Sequence, residues 1–358
     1  MSKHPYRGLP DHAFWRRSVA ETLPGEVDPI VDAPFVLTPE MRIATAGSCF
    51  AQHIARYLRQ AGFNFLITES AHPIAPPALA EEYGYGLYTA RYGNLYTSRQ
   101  LLQLFKRAYG TFMPDCEFWT DQKGRIIDPF RPQIQPDGFC TVEELRADRE
   151  HHFACTRAAF ETLDVFVFTL GLTECWTQRS DGAAYPLCPG VAGGIFDAEA
   201  HEFVNLSVAH VTADLLEFAA LLHSVNPNAR ILVTVSPVPL IATVTGKHVL
   251  VATTYSKSVL RVAAAQAELA VPNMTYFPSY EIITGNFNSG AYFAPDRRSV
   301  TEEGVSHVMR VFMRHFTKSD ASSHLTRQAP PIGVDDHTAK LTQLVKVVCE
   351  EEALDRPN

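Results

Sequence analysis

No two of the seven cysteines, at positions 49, 116, 140, 155, 175, 188 and 349, stand at CxxC or other metal-binding spacing, and their number is odd. They therefore read as reduced thiols of a cytoplasmic protein, with no disulfide framework and no metal site. Basic runs and C2H2-type spacings are absent too, and a net charge of −8 gives no general attraction to nucleic acid or acidic lipid. Nucleic-acid binding is thus not expected. The longest apolar stretches, DVFVFTLGL and RILVTVSPVPLIATV, are broken by Gly, Pro or polar residues well short of a membrane span. The first thirty residues lack the apolar centre of a signal peptide. Repeats and low-complexity tracts are missing as well, and no cofactor motif is present.

What is present is a chain of 358 residues, 46% of them hydrophobic, enough for one large domain or two ordinary ones. Residues 1–40 read as an irregular N-terminal arm, with AFWRRSVA a short helix. An α/β domain follows over 41–318, opening with a strand at 43–46, a helix from Phe50 and a second strand, GFNFLIT, at 62–68. From about 70 to 150 runs an inserted segment rich in aromatics and turn residues, a candidate lid or pocket wall. It holds one helix over SRQLLQLFKRAYG, and near its end a second helix begins with Thr141 and Glu144 as a capping box. Further strands are DVFVFTLGLTECW at 164–176, NARILVTVSPVPL and MTYFPSY. Helices are expected over 205–224, over TTYSKSVLRVAAAQAELA and over TEEGVSHVMRVFMRHF. Apolar strands without alternation, separated by helices, indicate a doubly wound parallel sheet. The tail, 319–358, is polar and carries a terminal helix in HTAKLTQLVKVVCEEEAL.

The stretch RIATAGSCFAQHIARYL raises the functional question, because a strand ends at Gly47-Ser48-Cys49 and a helix begins. Ser48 is either a helix N-cap or a hydroxyl presented beyond the sheet. Ligands of open parallel sheets bind at the carboxyl ends of the strands. Polar residues gather at four such ends: Ser48, Gly171 to Glu174, Ser236-Pro237, and Ser279 to Glu281. That convergence favours a site, with the N–H groups of Ser48 and Cys49 at a helix start as candidate oxyanion donors.

The pentapeptide GSCFA at 47–51, with YGNLYT, TLGLTECW, SPVP, SKSVLR and FPSYEI in order behind it, resembles the GSCFA family. That family is similar to the GDSL-type SGNH serine esterases. The resemblance covers about residues 35 to 318 and implies a flavodoxin-like α/β fold. It implies that Ser48 is the nucleophile and gives a backbone N–H to the oxyanion hole. Gly93, beside Asn94, matches the second donor. Gly171 to Glu174 stands where the esterases have Gly-x-Asn-Asp, which puts Thr173 in the place of a donating Asn. Asp296 matches the Asp of the last block, Asp-x-x-His, but the histidine position holds Ser299.

A serine without a base is a poor nucleophile at neutral pH. His248, on a loop after the Ser236-Pro237 turn, is the first choice for that base; His72 and His307 are others. Glu174, a carboxylate near a strand end, is a non-histidine candidate. Cys49 is a second possible nucleophile, and Lys257 behind Ser256 has the spacing of Ser-Lys catalysis, though a surface or anion-binding lysine is commoner. The preferred function is a serine hydrolase or O-acyltransferase acting on an ester, with a small-molecule or glycan ester as partner. The alternatives are a binding protein that retains an esterase-like pocket, and a carboxylate mechanism on Glu174 with Asp296 or Glu281.

Overall fold

The computed structural model describes residues 4–317 and 350–355. They divide into two compact units, one of 39–276 with 350–355 and a smaller one of 4–38 with 277–317. In chain order the larger unit holds β1 (Ile43–Gly47), α1 (Phe50–Gln60), α2 (Pro77–Glu82), α3 (Ser98–Ala108), β2 (Trp119–Thr120) and β3 (Ile126–Ile127). Then come α4 (Val142–Thr162), β4 (Val165–Leu170), β5 (Glu174–Gln178), β6 (Ala184–Tyr185), β7 (His201–Asn205) and α5 (Val208–Val225). It ends with β8 (Arg230–Val235), α6 (Val249–Ala270) and β9 (Met274–Phe277), whose last residue belongs to the smaller unit. The smaller unit adds α7 (Ser279–Thr284) and α8 (Glu302–Phe316).

The central sheet runs β1-β4-β8-β9. β1 pairs with β4 in parallel, Ile43 to Val165 through Gly47 to Thr169, and β4 with β8 in parallel, Val165 to Arg230 through Leu170 to Val235. Every residue of β1 and β4 is buried, which is why these strands are continuously apolar rather than alternating. The expected strand at 62–68 is reduced to one parallel bridge from Phe65 to Ile43, held by Ile43 N–H to the Asn64 carbonyl and Leu66 N–H to the Ile43 carbonyl, both 2.9 Å. Counting it as an edge, the order becomes 2-1-3-4-5, the flavodoxin-like doubly wound order with its switch point between β1 and β4.

Helices α3, α4 and α5 meet over β4 through an aromatic cluster. Phe105, Phe160 and Phe218 pack on one another and on Phe166, with ring centroids 5.3 to 6.2 Å apart. Each buried ring of this kind contributes roughly 1.5–3 kcal/mol over its exposed state. By length and composition α5 is apolar enough to cross a membrane. Its buried face of Val211, Leu215, Phe218 and Leu222 instead packs among α3, α4 and α6.

One further expectation changes. Residues 164–176 are not one strand: β4 stops at Leu170 and β5 opens an antiparallel sheet of order β6-β5-β7. The break arises because the N–H groups of Gly171 and Leu172 turn to the Tyr96 carbonyl and that of Thr173 to the Ser256 hydroxyl, outside any ladder. The N-terminal segment packs within the smaller unit, where Leu37 bridges to Thr317 and Asp28 pairs with Arg314 and His315. The anticipated tail helix falls outside the described residues except at 350–354, which belong to a short 3-10 helix, Glu350–Asp355. In the inserted segment the helix over 98–108 is present, capped by a full Thr97–Gln100 box. At α4 the box is half formed: Thr141 accepts from Glu144 N–H, and the Glu144 carboxylate takes the Cys140 N–H.

Candidate active site

The site is built where β1 gives way to α1. Gly47 has φ +135°, and a Cβ on it would stand 2.4 Å from the Thr169 carbonyl oxygen, so only glycine permits β1 and β4 to approach there. Ser48 follows with 3% exposure, and its Oγ has no hydrogen-bond partner. The N-cap of α1 is Cys49, without a side-chain cap bond, so the serine hydroxyl is not spent on the helix start. A buried, unpartnered hydroxyl is costly in a finished core and informative at a ligand site.

That hydroxyl lies in a small cavity at the sheet's switch point. Ser48 and Cys49 come from the end of β1, Gly171 and Leu172 from the end of β4, and Ser236 and Leu240 from beyond β8. Tyr96 closes one side, and Lys257 of α6 and Glu351 of the C-terminal 3-10 helix complete the lining. Lys257 is only 2% exposed, and its Nζ donates to the Gly171 carbonyl. Glu351 is 7% exposed. Gly171 leaves no room for a side chain toward Ser48, for a Cβ on it would stand 3.0 Å from the Ser48 Cβ.

The segment carrying Gly93 and Asn94 is clamped beside this cavity rather than in it. Leu95 N–H donates to the Gly47 carbonyl, and the Tyr96 carbonyl accepts from Gly171 and Leu172. The Asn94 side-chain oxygen accepts from Tyr88 and Gln52. Tyr92 donates to the Thr45 carbonyl. Tyr88 and Tyr92 are thus buried with bonded hydroxyls.

Several expected donors are engaged elsewhere. Ser48 N–H donates to the Thr169 carbonyl at 3.1 Å, continuing the β1–β4 ladder. Thr173 is fully buried; its N–H goes to Ser256 Oγ at 3.0 Å and its hydroxyl to Asn205 Oδ1 at 2.7 Å. Neither points a free donor at a substrate oxygen.

Expected bases fare differently. His248 is exposed and caps α6, its Nδ1 accepting from Leu250 N–H at 3.2 Å; it does not line the Ser48 cavity. His72 is likewise exposed, accepting from Ile74 N–H. His307 sits in the smaller unit with both ring nitrogens used, by Tyr292 Oη at 2.8 Å and the Val27 carbonyl at 2.9 Å. Glu174 is half-buried, accepts from the Thr243 hydroxyl, and has its carboxyl pushed above the usual range by burial, yet lies outside the cavity lining. Asp296 belongs to the smaller unit and is exposed, and Ser299 donates to it as a turn closure. That bond holds the Asp296 carboxyl below the ordinary range. Among the described residues no group of three or more metal-ligating side chains occurs, and six cysteines are free.

Sequence reasoning weighed Lys257 for Ser-Lys catalysis, held a surface or anion-binding lysine commoner, and did not single out Glu351. The signal for Lys257 was its register: Ser256, Leu260, Ala263, Ala264 and Ala267 form the buried stripe of α6, and Lys257 lies within it.

Comparison with known proteins follows the same residues. The model of the GSCFA family matches residues 42–312. No curated protein matches. Among solved structures, an acetyl xylan esterase from the rumen bacterium Butyrivibrio proteoclasticus is similar at 10% identity, with a TM-score of 0.25, over 68% of this chain. The chain spans 56% of that protein's length.

Proposed function

Because the chain belongs to the GSCFA family, we propose that it is a serine hydrolase or O-acyltransferase of esters in which Ser48 is the nucleophile. One observation carries the reading: a buried Ser48 hydroxyl with no partner, held at the switch point of a parallel sheet and lining a cavity. The substrate is a small-molecule or glycan ester. Ser48 Oγ bonds to the ester carbonyl carbon, the alcohol leaves, and water or a second alcohol takes the acyl group from the serine.

A second reading has support of its own. The N–H groups of Ser48, Gly171 and Thr173 are all spent within the protein, and the Asp296 partner is a serine. That arrangement also suits a pocket that binds an ester without turning it over. A fluorophosphonate probe separates the two. Labelling of the wild type and loss of labelling in Ser48→Ala support the hydrolase; an unlabelled wild type, or turnover of p-nitrophenyl acetate unchanged in Ser48→Ala, removes it.

A further inference from the structure

We infer that Lys257 is the proton acceptor and donor for Ser48, taking the place that a histidine holds in the related esterases; this rests on the serine-hydrolase reading above. The first ground is exclusion within the cavity. The titratable groups that line it with Ser48 are Cys49, Tyr96, Lys257 and Glu351, and no histidine is among them. The described histidines weighed as bases are a helix cap, an exposed turn and a buried pair in the smaller unit.

The second ground is positioning. Lys257 is 2% exposed on a 22-residue helix, and its four-carbon stem lies in the buried stripe with Ser256 and Leu260. Its Nζ donates to the Gly171 carbonyl, and a Cβ on Gly171 would stand 3.0 Å from the Ser48 Cβ. That bond holds the amine at the wall of the cavity that Ser48 also lines, while Ser256 next to it accepts from Thr173 N–H and pins the same loop. Glu351, by contrast, reaches the cavity from a 3-10 helix of six residues. A buried lysine also shifts its proton affinity readily, which suits it to general-base work.

The step balances without any further reagent than water. Neutral Lys257 Nζ takes the Ser48 Oγ proton as Oγ bonds to the carbonyl carbon. The resulting ammonium returns that proton to the departing alkoxide, which leaves an acyl-serine and a neutral amine. Water then repeats the sequence: its proton goes to Nζ, its oxygen to the acyl carbon, and the proton finally to Ser48 Oγ.

The test is the rate of fluorophosphonate labelling of the full chain from pH 6 to 10, for the wild type, Lys257→Met and Lys257→Arg. The wild-type rate should rise with pH by one deprotonation. Lys257→Met should lose about 10²- to 10⁴-fold and the pH limb with it. Lys257→Arg keeps a charge but cannot give up its proton, so it should not rescue the rate. A flat wild-type profile overturns the inference, as does Lys257→Met labelling at the wild-type rate, or recovery in Lys257→Arg, which would make the lysine a fixed charge. An unlabelled wild type overturns the serine-hydrolase reading itself and is thereby distinguished from failure of the lysine alone. The pH profile is measured on the wild type, so it decides the matter even where a variant fails to fold.

Discussion

Gly171 stands against Ser48 so closely that a Cβ on the glycine would lie 3.0 Å from the serine Cβ and 3.0 Å from the Tyr96 carbonyl oxygen. The same residue offers its carbonyl to Lys257, so one glycine spaces the two groups of the cavity. Gly171→Ala must move the serine, the Tyr96 backbone or both. It should cost about 1–3 kcal/mol of stability, as overpacking does. Displacement of a reacting group by about 1 Å costs on the order of 10²-fold, and relief of a 3.0 Å contact needs less than that, so probe labelling of Ser48 should fall by roughly severalfold to 10-fold. Urea denaturation and labelling kinetics measured side by side check both figures. A variant that is destabilised but labels normally would show that the spacing does not matter to the serine.

Gly47→Ala is the harsher change. The new Cβ would meet backbone, 2.4 Å from the Thr169 oxygen, at a φ that L-residues rarely adopt. Strain of about 1–3 kcal/mol adds to the overlap, and the expected outcome is a chain that fails to fold at 37 °C, seen as loss of soluble protein or of a cooperative melt.

Glu351 shares the cavity with Lys257, and a carboxylate near an ammonium favours the charged amine. Glu351→Gln removes that negative charge. Lys257 should then release its proton more readily, and the rising limb of the labelling profile should move to lower pH by about one unit. An unmoved limb would mean that the carboxylate does not act on the lysine.

His248 caps α6 by accepting from Leu250 N–H. His248→Ala should therefore cost about 1 kcal/mol through the lost cap, read as a lowered midpoint in urea. The shape of the labelling profile should stay that of the wild type, since the ring does not line the Ser48 cavity.

The parts of the fold legible in the sequence were those governed by local pattern. The apolar runs of β1, β4 and β8 and the capped helices α3 and α4 stand within a few residues of their expected places. The antiparallel sheet of β5, β6 and β7 was not legible, because TLGLTECW reads as one apolar run until the Tyr96 carbonyl draws Gly171 and Leu172 out of line. The place of the buried Ser48 hydroxyl was readable from a glycine turn between strand and helix. What else lines its cavity was not: the loop distance from a strand end pointed to His248, whereas the buried register of α6 places Lys257 there. The partners of the N-terminal segment were not legible either, since they lie some 280 residues away in sequence, as with Val27 and His307.

A buried charge network in the larger unit predicts how stability depends on acid. Arg91 and Arg131 reach Asp148 at 2.9 and 2.7 Å, and Arg131 also reaches Asp128 at 3.0 Å. His152, wholly buried, lies with Nδ1 2.7 Å from Glu69 Oε2. Burial, aided by the Arg131 guanidinium, pushes His152 down to about 4, so the neutral ring donates to Glu69. Burial alone would push the Glu69 carboxyl up, but the His152 hydrogen bond and the charges around it hold it down at about 2. Both shifts act in the same direction. Below pH 6.5 the unfolded chain takes up a proton at His152 that the folded chain refuses until about pH 4, and below 4.5 the same holds for Glu69 down to about 2. Stability is therefore lost as pH falls, by up to about 1.4 kcal/mol per pH unit for each proton and about 3 kcal/mol in all from His152. His152→Gln removes the first of these protons. Its urea-derived stability should be lower than the wild type's at pH 7, because Glu69 loses a well-placed donor. Between pH 6.5 and 4.5, however, its stability should fall less steeply by one proton's worth. Parallel slopes in the two proteins would place the acid sensitivity elsewhere.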